Sequence, residues 1–527
     1  MVVSGSALAT AIGVQVLEQG GNAVDAAAAT AFALAVVEPS MSGIGGRTQM
    51  VLRTAGGEVA AIDGTTEVPA AYTGGPVDDE SAYGWSTVAV PGTVAALAHA
   101  LRSHGTWPLA RVMQPAIELA ARGFILPEEE ARRLAGVAAR LRQFAGSRAH
   151  FLKSDGRPYS PGERFVQPDL ARTLRMVAAG GEDAFYRGEI ARRIVADSRA
   201  SGGLLADSDL ASYRAEESIV VRGRYRGHEL IGSYLPASGA TSIEILQILD
   251  HLELRDMAGT ADWVSVVAQA SLHGFEDRVA DRAPPSAKAA WLTSRELAAT
   301  RAAAIRVPAS SPREAARNEA RARPLRPRPS VAPPAALAST GHEPAFTTHL
   351  SVADRWGGVV ALTQSVGPTM GSKVATEGLG FVYAATMGYL GQLEPGTRRH
   401  WSSQSPLLVM RDGRPLLVLG GAGSRRIISG VVQSVSRFID QQLPLEQALA
   451  GPRFHPTASR IDIEVRPGTA WSAADVSRLE ALGFNVEARD DAPYFARINA
   501  IAWDAAAREW VGVADPRWPG TAAAPAR

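Results

Sequence analysis

The sequence predicts an α/β protein, and three observations carry that prediction. The chain passes from helix to strand hairpin by Asp63, a long block from Pro91 to about Thr300 is mostly helical in pattern, and the final third pairs two hairpins with a helix. At about 150 residues per domain, 527 residues amount to roughly three domains' worth of chain.

Leu8, Ile12 and Val16 fall at helical spacing and predict a first helix with these as its apolar stripe, stopped at Gly20-Gly21-Asn22. Residues 23–37 predict a second, buried, Ala-rich helix that ends at Glu38-Pro39. Ser42, Gly43, Gly45 and Gly46 read as a glycine turn feeding a hairpin, with apolar runs at 50–52 and 59–62. Within the helical block, the patterns at 110–121, 169–179, 190–200 and 242–252 are separated by turns such as Ser154-Asp155-Gly156. This block, about 91–300, is expected to form an attached helical lobe. Residues 302–340 are rich in Arg, Ala and Pro and read as a solvated connector. Beyond it, residues 348–354 and 359–366 flank a turn at 355–358, and residues 407–410 and 416–419 flank Asp412-Gly413. Gly420-Gly421-Ala422-Gly423-Ser424 then leads into a helix over 426–439.

Composition narrows the chemistry. With 54 Lys+Arg against 53 Asp+Glu, the net charge of +1 provides no long-range field for nucleic acid or an anionic membrane, and neither is expected as a partner. The absence of cysteine removes disulfides, thiolate metal sites and a cysteine nucleophile. No apolar run reaches the ~18 residues that would suggest a membrane span. The first residues lack the basic, apolar and small-residue regions of a signal peptide, so the chain as written is expected in the cytoplasm. There is no G-x-x-x-x-G-K-[ST] loop, H-E-x-x-H helix, G-x-S-x-G elbow or strand-borne G-x-G-x-x-G. His342 and His349 are spaced unlike usual metal ligands, and no metal or cofactor is expected. On these grounds alone Thr347 is a β-branched residue opening a strand, and the glycines near 420 are a turn.

Several longer motifs change that weighting. GGNAVDAA (20–27), VVEPSMSGIGG (36–46) and TTHLSVADRWG (347–357) resemble the γ-glutamyltransferase family. The likeness continues in the family's order through VPGTVAAL (90–97), VQPDLARTL (166–174), DAFYRGEIA (183–191), SSQSPLLV (402–409) and GGAGSRRI (420–427), and so covers nearly the whole chain. It implies a four-layer αββα sandwich of the N-terminal-nucleophile hydrolase type, with the helical lobe attached. It also implies a precursor that cuts itself between Phe346 and Thr347, giving fragments 1–346 and 347–527 that remain together as a heterodimer. Thr347 would then supply both a hydroxyl nucleophile and, through its new α-amine, the base. By the same resemblance Gly423 and Ser424 offer the backbone N–H groups of an oxyanion hole, Ser365 stands for the threonine that hydrogen-bonds the nucleophile, and Ser402 and Ser403 match the serine pair that contacts the γ-glutamyl group. The implied reactants are a small-molecule amide and a water or amine acceptor.

The chain departs from the family where the glutamyl charges are held. Thr65 stands at the position of an arginine, Gly367 at that of an asparagine, and Thr386 and Tyr389 where polar and acidic amine-binding residues are expected. Arg47, following GIGG where the family continues with glycines, is the candidate replacement anchor for a carboxylate. The expected activity is therefore amide hydrolysis or acyl transfer with an acyl group other than γ-glutamyl, as in relatives that look like cephalosporin acylases and oxamate amidohydrolases. True γ-glutamyl transfer with glutathione hydrolysis, and a catalytically silent binding homologue, are the alternatives.

Overall fold

Two antiparallel sheets lie face to face at the centre of the computed structural model, which describes residues 1–73, 83–280, 284–308, 345–389, 398–466, 468–491 and 494–526. The first sheet runs in the order Thr521–Ala523, Val2–Ser4, Ala345–Ala353, Val359–Pro368, Arg47–Arg53, Val59–Gly64, Glu216–Glu217. The second runs Glu509–Val513, Arg497–Asp504, Arg414–Ala422, Leu407–Arg411, His228–Tyr234, Ile219–Tyr225. Val3, Val51, Ala353, Val359 and Ala361 of the first sheet meet Ile231, Leu408, Met410, Val418 and Ile501 of the second in a dry layer between them. Helices Ala7–Glu18, Ala23–Val37, Thr93–His104, Leu109–Arg122 and Pro168–Tyr186 cover the first sheet's outer face. Gly239–Asp250, Ala261–Val279 and Arg426–Ile439 cover the second. The result is the four-layer αββα sandwich.

Strand periodicity explains how one segment serves two layers. Along Ala345–Ala353, Leu350 and Val352 belong to the helix-side core, while His349 and Ser351 contact the other sheet. Thr347 shares the face of His349. The hairpin partner Val359–Pro368 is buried throughout, as expected of a strand covered on both sides.

Much of the local reading carries over. Asn22 caps the Ala-rich helix by accepting from the N–H groups of Val24 and Asp25, and Asp25 returns a bond to the Asn22 N–H at 2.9 Å, so GGNAVDAA is a capping box in function. The first helix corrects its predicted stripe. Leu8 is 41% exposed, and the face that packs inward carries Ala9, Thr10, Gly13, Val16 and Leu17. Close approach to the second helix selects these small residues: a Cβ on Gly13 would lie 2.2 Å from Thr30 Oγ1.

The helical block expected over 91–300 divides in two. Helices from Thr93–His104 to Asp207–Ser212 pack with the first sheet, strands at Ile219–Tyr225 and His228–Tyr234 then enter the second, and the helices from Gly239–Asp250 onward form that sheet's outer layer. The two strands lie within a block whose neighbouring segments read as helical, although exposed Arg222 and Arg224 alternate with buried Val221 and Tyr225 as a strand requires. The connector from 309 onward, with His342, lies outside the described residues. Among the described residues no helix is long and apolar enough to cross a membrane, and no cluster of potential metal ligands is found.

Candidate active site

Thr347 sits in the third strand of the first sheet, buried, with the peptide bond to Phe346 inside the same strand. Its hydroxyl donates to Ser365 Oγ at 3.1 Å, and the Gly367 N–H donates to that same oxygen at 3.0 Å. A bulge in the pairing between Gln364 and Gly367 aims Ser365 at the nucleophile instead of leaving it in simple register. Gly367 has φ 92°, a conformation that favours glycine, and there its amide holds the Ser365 hydroxyl in place. The glycine turn of the GIGG motif has a comparable role: a Cβ on Gly46 would fall 2.5 Å from the Ser365 carbonyl oxygen.

The second sheet brings a turn to the same place. Strand Arg414–Ala422 crosses the nucleophile strand with Gly420 against the His349 ring, and Ala422 pairs with Arg497, whose guanidinium approaches the Thr347 carbonyl at 3.5 Å. Gly423 (φ 135°) and Ser424 (φ 55°) follow directly and bend the chain into helix Arg426–Ile439. Among the described residues no acceptor takes the N–H of either, so both remain open to a developing oxyanion beside a helix start.

Ser402 and Ser403 lie on the segment entering strand Leu407–Arg411. Ser402 is buried, its N–H donates to the Pro236 carbonyl at 2.7 Å, and its Oγ accepts from the Gln404 N–H at 3.2 Å. Gln404 Nε2 donates to the Thr363 carbonyl at 3.2 Å, tying this segment to the strand of Ser365. Ser403 is half-buried and accepts from Arg278 Nη1 at 3.3 Å. Arg47 is paired directly opposite Ser365 across the two strands, so its side chain leaves the sheet on the face of the dyad, where it contacts His400 Nε2. Burial, reinforced by Arg47, pushes His400 well below the usual histidine range and keeps the imidazole neutral.

Residues 9–525 match the family described as Gamma-glutamyltranspeptidase. The chain belongs to the γ-glutamyltranspeptidase family. It is similar to the glutathione hydrolase proenzyme of Escherichia coli (strain K12), 34% identical over 523 residues covering 93% of this chain and 86% of the relative. It is equally similar to the acylase ACY 1 proenzyme of Pseudomonas sp. (strain V22), 34% identical with 88% and 84% covered. Among solved structures, cephalosporin acylase from Bacillus halodurans superposes with a TM-score of 0.84 at 26% identity, covering 99% of this chain and 95% of that one. The chain is thus an enzyme of the N-terminal-nucleophile hydrolase type, with both glutathione hydrolases and acylases among its relatives.

Thr65 and Thr386, where the sequence predicts that the glutamyl-binding pattern is lost, are engaged in internal bonds. Thr65 is buried, accepts from Gln49 Nε2 at 2.6 Å, and donates its N–H to Asp63 Oδ1 at 2.8 Å. Arg399 lies beside it, but its guanidinium is paired with Asp63 and Glu67, and against the pull of burial the Asp63 charge holds it protonated. Thr386 is buried and its hydroxyl meets that of Thr66 at 2.6 Å. Tyr389 ends a short 3-10 turn, and its side chain, like that of Phe346, lies outside the described residues.

Three charged residues near the site were not singled out in the sequence. Glu38 is buried behind the nucleophile strand, where it accepts from the Thr348 hydroxyl, and burial pushes its carboxyl up to about 7 against the opposing pull of Arg133. Its place in VVEPSMSGIGG was the available signal. Arg278 reaches Ser403 from helix Ala261–Val279, Arg425 follows Ser424 at the start of helix Arg426–Ile439, and no local pattern marks either.

Proposed function

We propose that this γ-glutamyltranspeptidase-family enzyme cuts itself between Phe346 and Thr347 and then hydrolyses or transfers an acyl group that is not γ-glutamyl. The observation that carries this reading is the Thr347–Ser365 hydroxyl contact at 3.1 Å, held by the Gly367 amide of the strand paired with the one that contains the bond to be cut. In the first step Thr347 Oγ attacks the Phe346 carbonyl carbon, the acyl chain shifts from nitrogen to oxygen, and water hydrolyses the ester to a Phe346 carboxylate and a free Thr347 amine. An α-amine has an ordinary pKa of roughly 7.7 to 8.0, so a useful fraction is neutral near pH 7 and accepts the hydroxyl proton when Thr347 attacks a substrate amide. The Gly423 and Ser424 N–H groups stabilise the tetrahedral oxyanion, the departing amine takes the proton, and water or an amine releases the acyl group from Thr347.

The acyl preference rests on what surrounds the glutamyl positions. A buried ammonium without acceptors costs several kcal/mol; Thr65 and Thr386 offer hydroxyls already bonded internally, and Gly367 has no side chain and spends its N–H on Ser365. Arg47, on the dyad's face, supplies a cation for a carboxylate. Steady-state kinetics with γ-glutamyl-p-nitroanilide and with its glutaryl analogue, identical but for the missing ammonium, test the reading. The glutaryl compound is expected to have a kcat/KM at least about tenfold higher, whereas a preference for γ-glutamyl would restore glutathione-type chemistry.

A further inference from the structure

Arg497 brings a buried positive charge to the main chain of the nucleophile. It opens strand Arg497–Asp504 and pairs with Ala422, just before the Gly423–Ser424 turn. Its Nη2 stands 3.5 Å from the Thr347 carbonyl oxygen, and its guanidinium lies 4.1 Å from the Trp518 ring centre. Arg133, whose Nη2 meets Glu130 at 2.6 Å, stands 4.3 Å from the centre of the same ring. The residue before Arg497 packs against the turn: a Cβ on Gly423 would fall 2.9 Å from Ala496 Cα. Burial and the Arg133 charge push the Arg497 guanidinium down to about 10, with Glu38 and Asp515 opposing, so it stays charged at neutral pH.

We infer that Arg497 is a positioning residue that keeps the freed Thr347 α-amine neutral, and so competent as a base, at a pH where an ordinary α-amine is mostly charged. Bond lengths hold the nitrogen and carbonyl oxygen of one residue within about 4 Å, so Nη2 lies within about 7.5 Å of the nitrogen that cleavage releases. A fixed guanidinium at that range, away from bulk water, disfavours a second positive charge by about one pH unit or more. The charges around Thr347 leave this effect standing. The neighbouring strands Val2–Ser4 and Val359–Pro368 carry no titratable side chain. On the nucleophile's own strand, burial pushes His349 down to about 3 and keeps it neutral. Strand Arg47–Arg53 contributes Arg47, which acts with the same sign, and its contact His400 is neutral. Helix Ala23–Val37 contributes Asp25, committed to the Asn22 and Thr106 N–H groups at 2.9 Å, and ends at Glu38, whose carboxyl burial pushes up to about 7. Below that pH Glu38 is uncharged and does not offset Arg497. Asp515 is bonded to Arg453 and Arg517, and Arg426 adds positive charge. This inference rests on the reading of Thr347 as a self-released nucleophile given above.

The pH dependence of kcat/KM for glutaryl-p-nitroanilide, or for γ-glutamyl-p-nitroanilide if only that is turned over, tests the inference between about pH 5 and 9. In the processed wild type the acidic limb is expected at about pH 7 or below, under the ordinary α-amine range of roughly 7.7 to 8.0. Arg497→Gln is expected to move the limb up by about one pH unit, a loss of about tenfold at pH 6 that nearly vanishes at pH 9. Arg497→Lys, which keeps the charge, is expected to restore the wild-type limb. Loss of packing alone would lower the rate equally at every pH. Glu38 titrates in the same window, so Glu38→Gln is measured beside them and is expected to keep the limb. A wild-type limb at or above about 8, a limb unmoved in Arg497→Gln, or one abolished in Glu38→Gln would overturn the inference. If Arg497→Gln stays uncut, the limbs of the wild type and of Glu38→Gln still decide. An uncut wild type would overturn the reading of Thr347 itself, whereas a cut and active wild type with an ordinary limb overturns only the role of Arg497.

Discussion

Gly420 and the His349 imidazole are packed so closely that a Cβ on Gly420 would fall 2.3 Å from His349 Cε1. The ring cannot yield, because Nδ1 is bonded to Thr363 Oγ1 at 2.7 Å and Nε2 to Ser351 Oγ at 3.1 Å. This contact limits how near strand Arg414–Ala422 comes to the strand of Thr347, and so where the turn that follows at Gly423 is held.

Gly420→Ala is therefore expected to destabilise the protein by roughly 1–3 kcal/mol, the usual cost of overpacking, and to slow self-cleavage by displacing the turn. Gly136→Ala is the control: nothing lies within 4 Å of a Cβ built there, inside helix Glu128–Leu141, and it is expected to be neutral or to stabilise. Thermal melting of both variants, with the extent of cleavage on denaturing gels, checks the pair.

Ser365 tests the dyad directly. Replacing it by alanine removes the acceptor for the Thr347 hydroxyl and leaves the buried Gly367 N–H without its partner, a loss of about 1–3 kcal/mol. The cleavage rate of Ser365→Ala precursor, followed by gel over time, should fall at least about tenfold, and Ser365→Thr should recover most of it.

Glu38 predicts a pH dependence. Its carboxyl is pushed from the ordinary 4.5 up to about 7 by burial, so the folded protein binds this proton more tightly than the unfolded chain does. The resulting stabilisation is fully present below pH 4.5 and is lost as pH rises to about 7. Relative to Glu38→Gln, the wild type should lose up to roughly 3 kcal/mol across that window. Melting temperatures of the two proteins between pH 4.5 and 8 measure it, and parallel curves would contradict the assignment.

What could be read in the sequence differed by the range of the interaction. The Thr347 strand, its hairpin partner and the Gly423–Ser424 turn were legible because each lies within a local motif or a short hairpin. The inward face of the first helix was not, since Gly13 is chosen by its fit against Thr30 and not by hydrophobicity. Strands Ile219–Tyr225 and His228–Tyr234 were missed although they form a short hairpin, because the helical pattern on either side was extended across them; only His228–Tyr234 pairs with the distant Leu407–Arg411. Glu38 against Thr348 is likewise joined only by the stacking of layers.

The central claim is that Thr347 cuts the chain in front of itself, and intact mass under denaturing conditions tests it most directly. The wild type should give two masses, those of residues 1–346 and 347–527, summing to the full chain plus one water, while Thr347→Ala should give a single uncut mass. An uncut wild type, or a Thr347→Ala protein cut at the same bond, would contradict the account.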